Sequence, residues 1–244
     1  MASPTARPST AGQLGAVIVS VAAALVILGA SIVPFLTPAW IHGEQDRAGA
    51  ASLFGSDPET VHLYTDAIVQ DLVFGGAFNV GSARLMPVLD PKEQAHMRDV
   101  RAVFDELALI VLASVAVLVV AARRSRTNAD GRQALWGAVR RGARWLAVLM
   151  AAIGVVSIVA FDAAFEAFHE LLFPAGSFSF DPATEHLVQL FPDQFWSDTA
   201  LALGVVALVL SIGVAWVASR RAARAGVDAA MPAGASALAP RSVP

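Results

Sequence analysis

Histidine is the residue type in this chain best suited to chemistry near neutral pH, and two of its five histidines stand with acidic neighbours at helical spacing beside long apolar runs. Glu93, His96 and Asp99 are spaced by three, which sets both carboxylates to one side of the imidazole if the segment is helical. Asp162, Glu166 and His169 stand at i, i+4 and i+7, a spacing that confines them to one narrow helical stripe. A carboxylate beside an imidazole can orient the ring and raise its basicity, so each set is suited to moving a proton. A solvated helix-end acid is an equal reading of Asp162 and of Glu106, and His42, His62 and His186 read as polar loop residues. Histidines with carboxylates also suit a metal, but no H-E-x-x-H or comparable spacing specifies one, and no metal or cofactor is expected. Cysteine is absent, which removes disulfides, thiol nucleophiles and Cys-ligated zinc. There is no G-x-S-x-G elbow, phosphate loop or dinucleotide fingerprint.

The elements that must position these groups are membrane helices. The chain has 244 residues, 56% hydrophobic and only 15% charged, more apolar than a soluble core requires. Four stretches are apolar enough to cross about 30 Å of hydrocarbon, which takes roughly 20 helical residues. They are Leu14 to Leu36, Leu107 to Ala122 with a lead-in from Ala102, Trp145 to Phe161, and Ala200 to Ser219. The first reads as an uncleaved anchor, because only Arg7 precedes it and no Ala-x-Ala site follows. The fold class expected is therefore an all-α membrane protein with four transmembrane helices. One membrane domain covers 1–225, with outer loops at about 37–102 and 162–198, and 226–244 is read as a disordered tail rich in Ala, Pro, Gly and Ser.

Basic residues orient the bundle. Arg123, Arg124, Arg126, Arg132, Arg140, Arg141 and Arg144 lie between spans two and three, and Arg220, Arg221 and Arg224 follow span four. The segment between spans three and four has no Lys or Arg but holds Asp162, Glu166, Glu170, Asp181, Glu185, Asp193 and Asp198. The arginine side is read as cytoplasmic, with both termini, in a bacterial cytoplasmic membrane, and no nucleic-acid partner is implied. Asp57-Pro58 and Asp90-Pro91 are helix starts, the second completed as a capping box by Glu93. They predict a helix from Pro58 to about Phe74 lying along the membrane surface, and another from Pro91 running unbroken into span two. Asp181-Pro182 is read as starting a short third helix that Pro192 stops.

Two segments resemble a known family. Glu93-Gln94-Ala95-His96-Met97-Arg98-Asp99-Val100 is similar to the E-x-x-H-M-x-D-V segment of a bacterial membrane family that includes the lipoprotein intramolecular transacylase. Phe168-His169-Glu170-Leu171-Leu172-Phe173, then Phe180-Asp181-Pro182 and the stretch Leu187 to Trp196, resemble its second loop. Phe178 stands where that family often shows Trp, and Leu172 replaces an aromatic. The resemblance implies transfer of an acyl chain from the sn-2 ester of a lipoprotein's diacylglyceryl-cysteine to its α-amine, leaving a lyso-form. It makes His96 and His169 the catalytic pair, with Glu93, Asp99, Asp162 and Glu166 supporting, and the diacylated lipoprotein N-terminus and membrane lipid the partners.

Two other classes stay open at this stage. A non-enzymatic membrane protein that binds a lipid or protein partner through its outer loops would tolerate loss of either histidine. A histidine-based membrane hydrolase or metal enzyme would use the same residues on water, and the metal version would lose activity on chelation.

Overall fold

The computed structural model describes residues 10–81 and 87–230. Every regular element among them is helical: α1 (Thr10–Ile32), a 3-10 turn (Val33–Leu36), α2 (Pro38–Arg47), α3 (Ala50–Phe54), α4 (Pro58–Phe74), α5 (Pro91–Ser125), α6 (Ala129–Val159), α7 (Phe161–Leu172), α8 (His186–Leu190) and α9 (Asp193–Ala230). Four segments, Thr10–Leu36 and the helices α5, α6 and α9, are long and apolar enough to cross a membrane. Such helices satisfy every backbone polar group internally, as hydrocarbon demands.

These helices overrun their apolar stretches. At about 1.5 Å per residue, the 35 residues of α5 extend well past the hydrocarbon. Its uncharged run starts at Leu107, so the stretch before it, with Glu93, His96 and Asp99, lies outside the membrane-spanning segment. Likewise α6 begins at Ala129, and its arginines lie on the helix rather than in a loop. The tail expectation falls largely outside the described residues, which end within α9 at Ala230.

The chain divides into two compact units. One comprises Met1–Leu28, Val111–Val148 and Val209–Pro244. In it α1 and α6 touch backbone to backbone: Ser20 Oγ donates to Ala138 O at 2.9 Å, and a Cβ at Gly142 would sit 2.0 Å from Ser20 O. The other comprises Gly29–Ile110 and Leu149–Leu208 and has the apolar core, centred on Val61, Ile68, Phe78, Leu89, Met97 and Leu190. Gln45, 1% exposed, ties this core together by donating from Nε2 to Thr65 Oγ1 and to Leu190 O, both at 2.8 Å.

Both predicted helix starts are present. Asp57 accepts from Thr60 N at 2.9 Å with Pro58 in the first turn, and α4 spans Pro58–Phe74. Asp90 Oδ1 accepts from Glu93 N at 2.8 Å while Glu93 Oε2 accepts from Asp90 N at 2.6 Å, a complete capping box. Four expectations need correction. The stretch after span one is not a loop but contains α2 and α3. The apolar face of α4 is turned into protein, with Val61 and Ile68 each 1% exposed, rather than laid on the bilayer. Asp181 opens a turn, closed by Thr184 N and Glu185 N on Asp181 O, and the helix starts only at His186. Finally, span three ends at Val159: Ala160 leaves helical geometry at φ −149°, ψ 57°, and Asp162, Glu166 and His169 ride on a separate helix, α7.

Candidate active site

The core-bearing unit brings His96 and His169 together. Their ring centroids are 6.1 Å apart with planes 24° from parallel. His96 comes from the second turn of α5 and is 6% exposed; His169 comes from the last turn of α7 and is half-buried. Phenylalanines hold both rings. Phe173 and Phe180 stand edge-on to His96 at 4.9 and 5.3 Å, and Phe165, Phe168, Phe173 and Phe178 surround His169 at 4.1 to 5.5 Å. Aromatic walls of this kind keep water out and suit an acyl chain.

The polar contacts distinguish the two imidazoles. His169 Nδ1 lies 2.7 Å from Phe165 O. A carbonyl only accepts, so Nδ1 carries the proton, and in the neutral ring Nε2 keeps its lone pair for use as a base. His96 makes no hydrogen bond among the described residues, and its Nδ1 is buried without a partner. Leaving a buried polar atom unmatched typically costs about 1–3 kcal/mol, so the site is arranged to receive a polar group there. Burial first, then the neighbouring His169, push the His96 imidazole below the usual histidine range, with the Asp99 charge opposing.

The carboxylates do not sit where spacing alone put them. Glu93, 1% exposed, turns away from His96: beyond closing the capping box, its Oε1 accepts from Leu187 N at 2.5 Å and pins α8 to the start of α5. Burial pushes its carboxyl above the ordinary range, while the N–H donors of Leu187 and Asp90 oppose. Asp99 is half-buried and makes no hydrogen bond to His96. Asp162 and Glu166 are exposed, and their carboxylates bond no partner among the described residues.

Sequence reasoning passed over Lys92. Its Nζ donates to Ser179 O at 2.5 Å, pairs with Glu185 at 2.9 Å and lies 4.7 Å from the Phe180 ring centre. Adjacent residues in the first turn of α5 thus hold Phe180 and α8, and through Phe180 the wall of His96. No short-range motif announces this, since the partners are almost a hundred positions away. A cavity of about 290 Å³ adjoins this clamp, lined among others by Asp90, Glu93, Gln94, Thr184 and His186. The remaining histidines are structural in their contacts. His186 Nδ1 donates to Val88 O at 2.5 Å, while His42 and His62 stack at 4.0 Å and bond Asp66 and Asp46 at 2.8 and 3.0 Å. Among the described residues no group of three or more His, Asp or Glu side chains is arranged to hold a metal ion.

Comparison with known proteins bears directly on this arrangement. The family model described as lipoprotein intramolecular transacylase Lit matches residues 17–196. The solved structure of the membrane integral lipoprotein intramolecular transacylase Lit from Bacillus cereus superposes with a TM-score of 0.74 at 17% identity, over 89% of this chain and 98% of that one. A variant of the Bacillus cereus protein with one histidine replaced by arginine gives a TM-score of 0.68 at 16% identity, over 89% and 95%. At such identities the structural likeness is evidence of fold. No curated protein sequence matches significantly.

Proposed function

The chain belongs to the lipoprotein intramolecular transacylase family, a family of membrane enzymes, and on that premise we propose that His96 and His169 carry out the proton transfers of its reaction. The observation that carries this reading is the facing pair of rings, one with its base nitrogen freed by a backbone bond and the other with a buried nitrogen lacking a partner.

The substrate is a lipoprotein whose N-terminal cysteine bears a diacylglyceryl group. Its α-amine attacks the carbonyl carbon of the sn-2 ester, a new C–N bond forms, and the C–O bond to glycerol breaks. The ammonium first gives up one proton to solvent; a second proton must then leave the attacking nitrogen and one must reach the departing oxygen. His169 Nε2 takes the amine proton. His96 delivers a proton to the glycerol oxygen and recovers one from His169, so the pair ends unchanged. Both reactants belong to one bound molecule, so holding amine and ester in register supplies much of the acceleration. The phenylalanine walls support that role by confining the chain and excluding water, which would otherwise hydrolyse the ester.

We place the histidine-bearing segments on the extracytoplasmic side of a bacterial cytoplasmic membrane, with both termini cytoplasmic. The arginine asymmetry supports this orientation. Glu93 acts in this reading as a positioning residue for α8, and Asp99 as a modest electrostatic influence on His96. Glu166 and Asp162 lie about one and two helical turns from His169 and are exposed, where they can meet the cationic N-terminus as it arrives.

The test is mass spectrometry of N-terminal lipopeptides from a bacterial host that otherwise makes diacylated lipoproteins with a free amine. Expression of this chain should yield N-acyl, S-monoacylglyceryl peptides, and His169→Gln should not. Unchanged diacyl peptides with the wild-type chain present and folded would refute the proposal.

A further inference from the structure

The arginine-rich unit contains a second polar arrangement, unconnected with transacylation. Its described residues carry ten arginines, the residues named in the orientation argument above, against two carboxylates, Asp130 and Asp228. One ion pair forms among them, Arg132 to Asp228 at 3.3 Å. Two other guanidinium groups have tryptophan neighbours: Arg220 lies 3.8 Å from the centre of Trp216, and Arg221 lies 5.6 Å from that of Trp136. Arg140 follows Trp136 by one helical turn on α6, where side chains four apart are neighbours at about 5–6 Å between Cβ atoms. Its Nε is buried and has no hydrogen-bond partner. Arg221 of α9 thus lies against the Trp136 indole and Arg140 stands one turn further along the same helix as that indole, and among the described residues neither guanidinium pairs with a carboxylate.

Depth identifies the anion that belongs there. Arg140 precedes the apolar run of α6, which starts at Trp145, by about 7.5 Å of helix, and Arg221 follows the apolar run of α9 by about 3 Å. The polar headgroup layer is roughly 5–8 Å thick on each side of the hydrocarbon. Both guanidiniums therefore fall at the level of lipid phosphates, and tryptophan is the residue enriched at that level. The Nε–H and a neighbouring Nη–H of Arg140 present the planar fork that matches two oxygens of one phosphate.

We propose that Arg140 and Arg221, beside Trp136, bind the phosphate of an anionic phospholipid whose acyl chains lie along α6 and α9. The full chain in phosphatidylcholine nanodiscs doped with phosphatidylglycerol, analysed by native mass spectrometry, tests this. The wild type should retain phosphatidylglycerol in preference to phosphatidylcholine. The Arg140→Gln/Arg221→Gln variant should lose roughly tenfold in that retention, the effect of one charge-assisted contact. The exposed pair Arg123→Gln/Arg124→Gln, with the same change in charge, should stay within about twofold of wild type. Equal losses in both variants, or none in the first, would overturn the site in favour of unspecific attraction. Displacement of the lipid by millimolar inorganic phosphate would overturn the lipid and leave a free-anion site. Unfolding in pure phosphatidylcholine discs checks the fold. Should the glutamine pair fail to fold, Arg140→Lys/Arg221→Lys keeps the charge and removes the fork. Retention must then fall several-fold relative to Arg123→Lys/Arg124→Lys, and unchanged retention overturns the proposal.

Discussion

Replacing His96 and His169 by glutamine, singly and together, tests whether the two rings work as one unit. Their centroids are 6.1 Å apart with planes 24° from parallel, so one polar group at the shared edge of the two rings can meet a nitrogen of each. A group held between both rings needs both, so losing either forfeits the same proton transfer. General acid–base catalysis by a positioned side chain is worth about 10²–10⁴-fold, or about 2.7–5.5 kcal/mol of barrier. Each single variant should lose that much, and the double should lose little more than a single, whereas independent roles would multiply to about 10⁴–10⁸-fold. The structure also sets the control. His96 is 6% exposed among phenylalanines, so an amide in its place is buried and can cost about 1–3 kcal/mol of stability. Thermal unfolding in detergent must therefore accompany rates of lyso-form production from a purified diacylated lipopeptide. A stable His169→Gln protein with the wild-type rate would refute the mechanism, and a multiplicative double would refute the shared proton path.

Glu93→Ala removes the acceptor of two backbone N–H groups and should destabilise by roughly 2 kcal/mol or more, lowering the unfolding midpoint and slackening Phe180 against His96; a midpoint equal to wild type would show the clamp to be idle. Gly142→Ala sets a methyl group 2.0 Å from the backbone oxygen of Ser20, which cannot rotate aside, and should cost about 1–3 kcal/mol in thermal unfolding, whereas Gly137→Ala, with open space around it, should not. For orientation, Thr127→Cys should resist an impermeant thiol reagent in intact cells while Glu59→Cys and Ala183→Cys react; the naturally cysteine-free chain makes the readout clean, and the reverse pattern would invert the topology.

The spans and the two proline-led helix starts were legible because each rests on local signals: a long uncharged run, or an Asp-Pro pair with a glutamate three residues on. The histidine pair was singled out by neighbouring acids, yet those acids serve other ends. Glu93 sits three positions from His96, but its carboxylate is spent on the cap and on Leu187 N, a partner 94 positions away that helical spacing cannot reveal. What surrounds His169 is a shell of phenylalanines, Phe165, Phe168, Phe173 and Phe178, and such a shell looks in sequence like ordinary membrane hydrophobicity. The α2 and α3 helices were missed because both are short, because α2 is polar, carrying Glu44, Gln45, Asp46 and Arg47, and because Gln45 is buried only through tertiary bonds to Thr65 and Leu190. The Asp181-Pro182 pair mimics the other helix starts, but Glu185 turns back to the Asp181 amide and closes a turn instead.

The break at Ala160 makes the two halves of the catalytic pair unequal in phase. His96 is rigidly geared to span two, because α5 has no interruption between it and the membrane, so one residue inserted anywhere in that stretch would swing the imidazole by about 100° around the helix axis. His169 is tied to span three only through Ala160, whose N–H donates to Val156 O at 2.8 Å and whose carbonyl accepts from Ala164 N at 3.1 Å despite its non-helical angles. The joint at Ala160 acts as a clutch: span three can gain or lose a residue, or roll against its neighbours, while α7 keeps its own angular setting through its aromatic contacts. Length drift is thus tolerated on the α6 side of the site and forbidden on the α5 side.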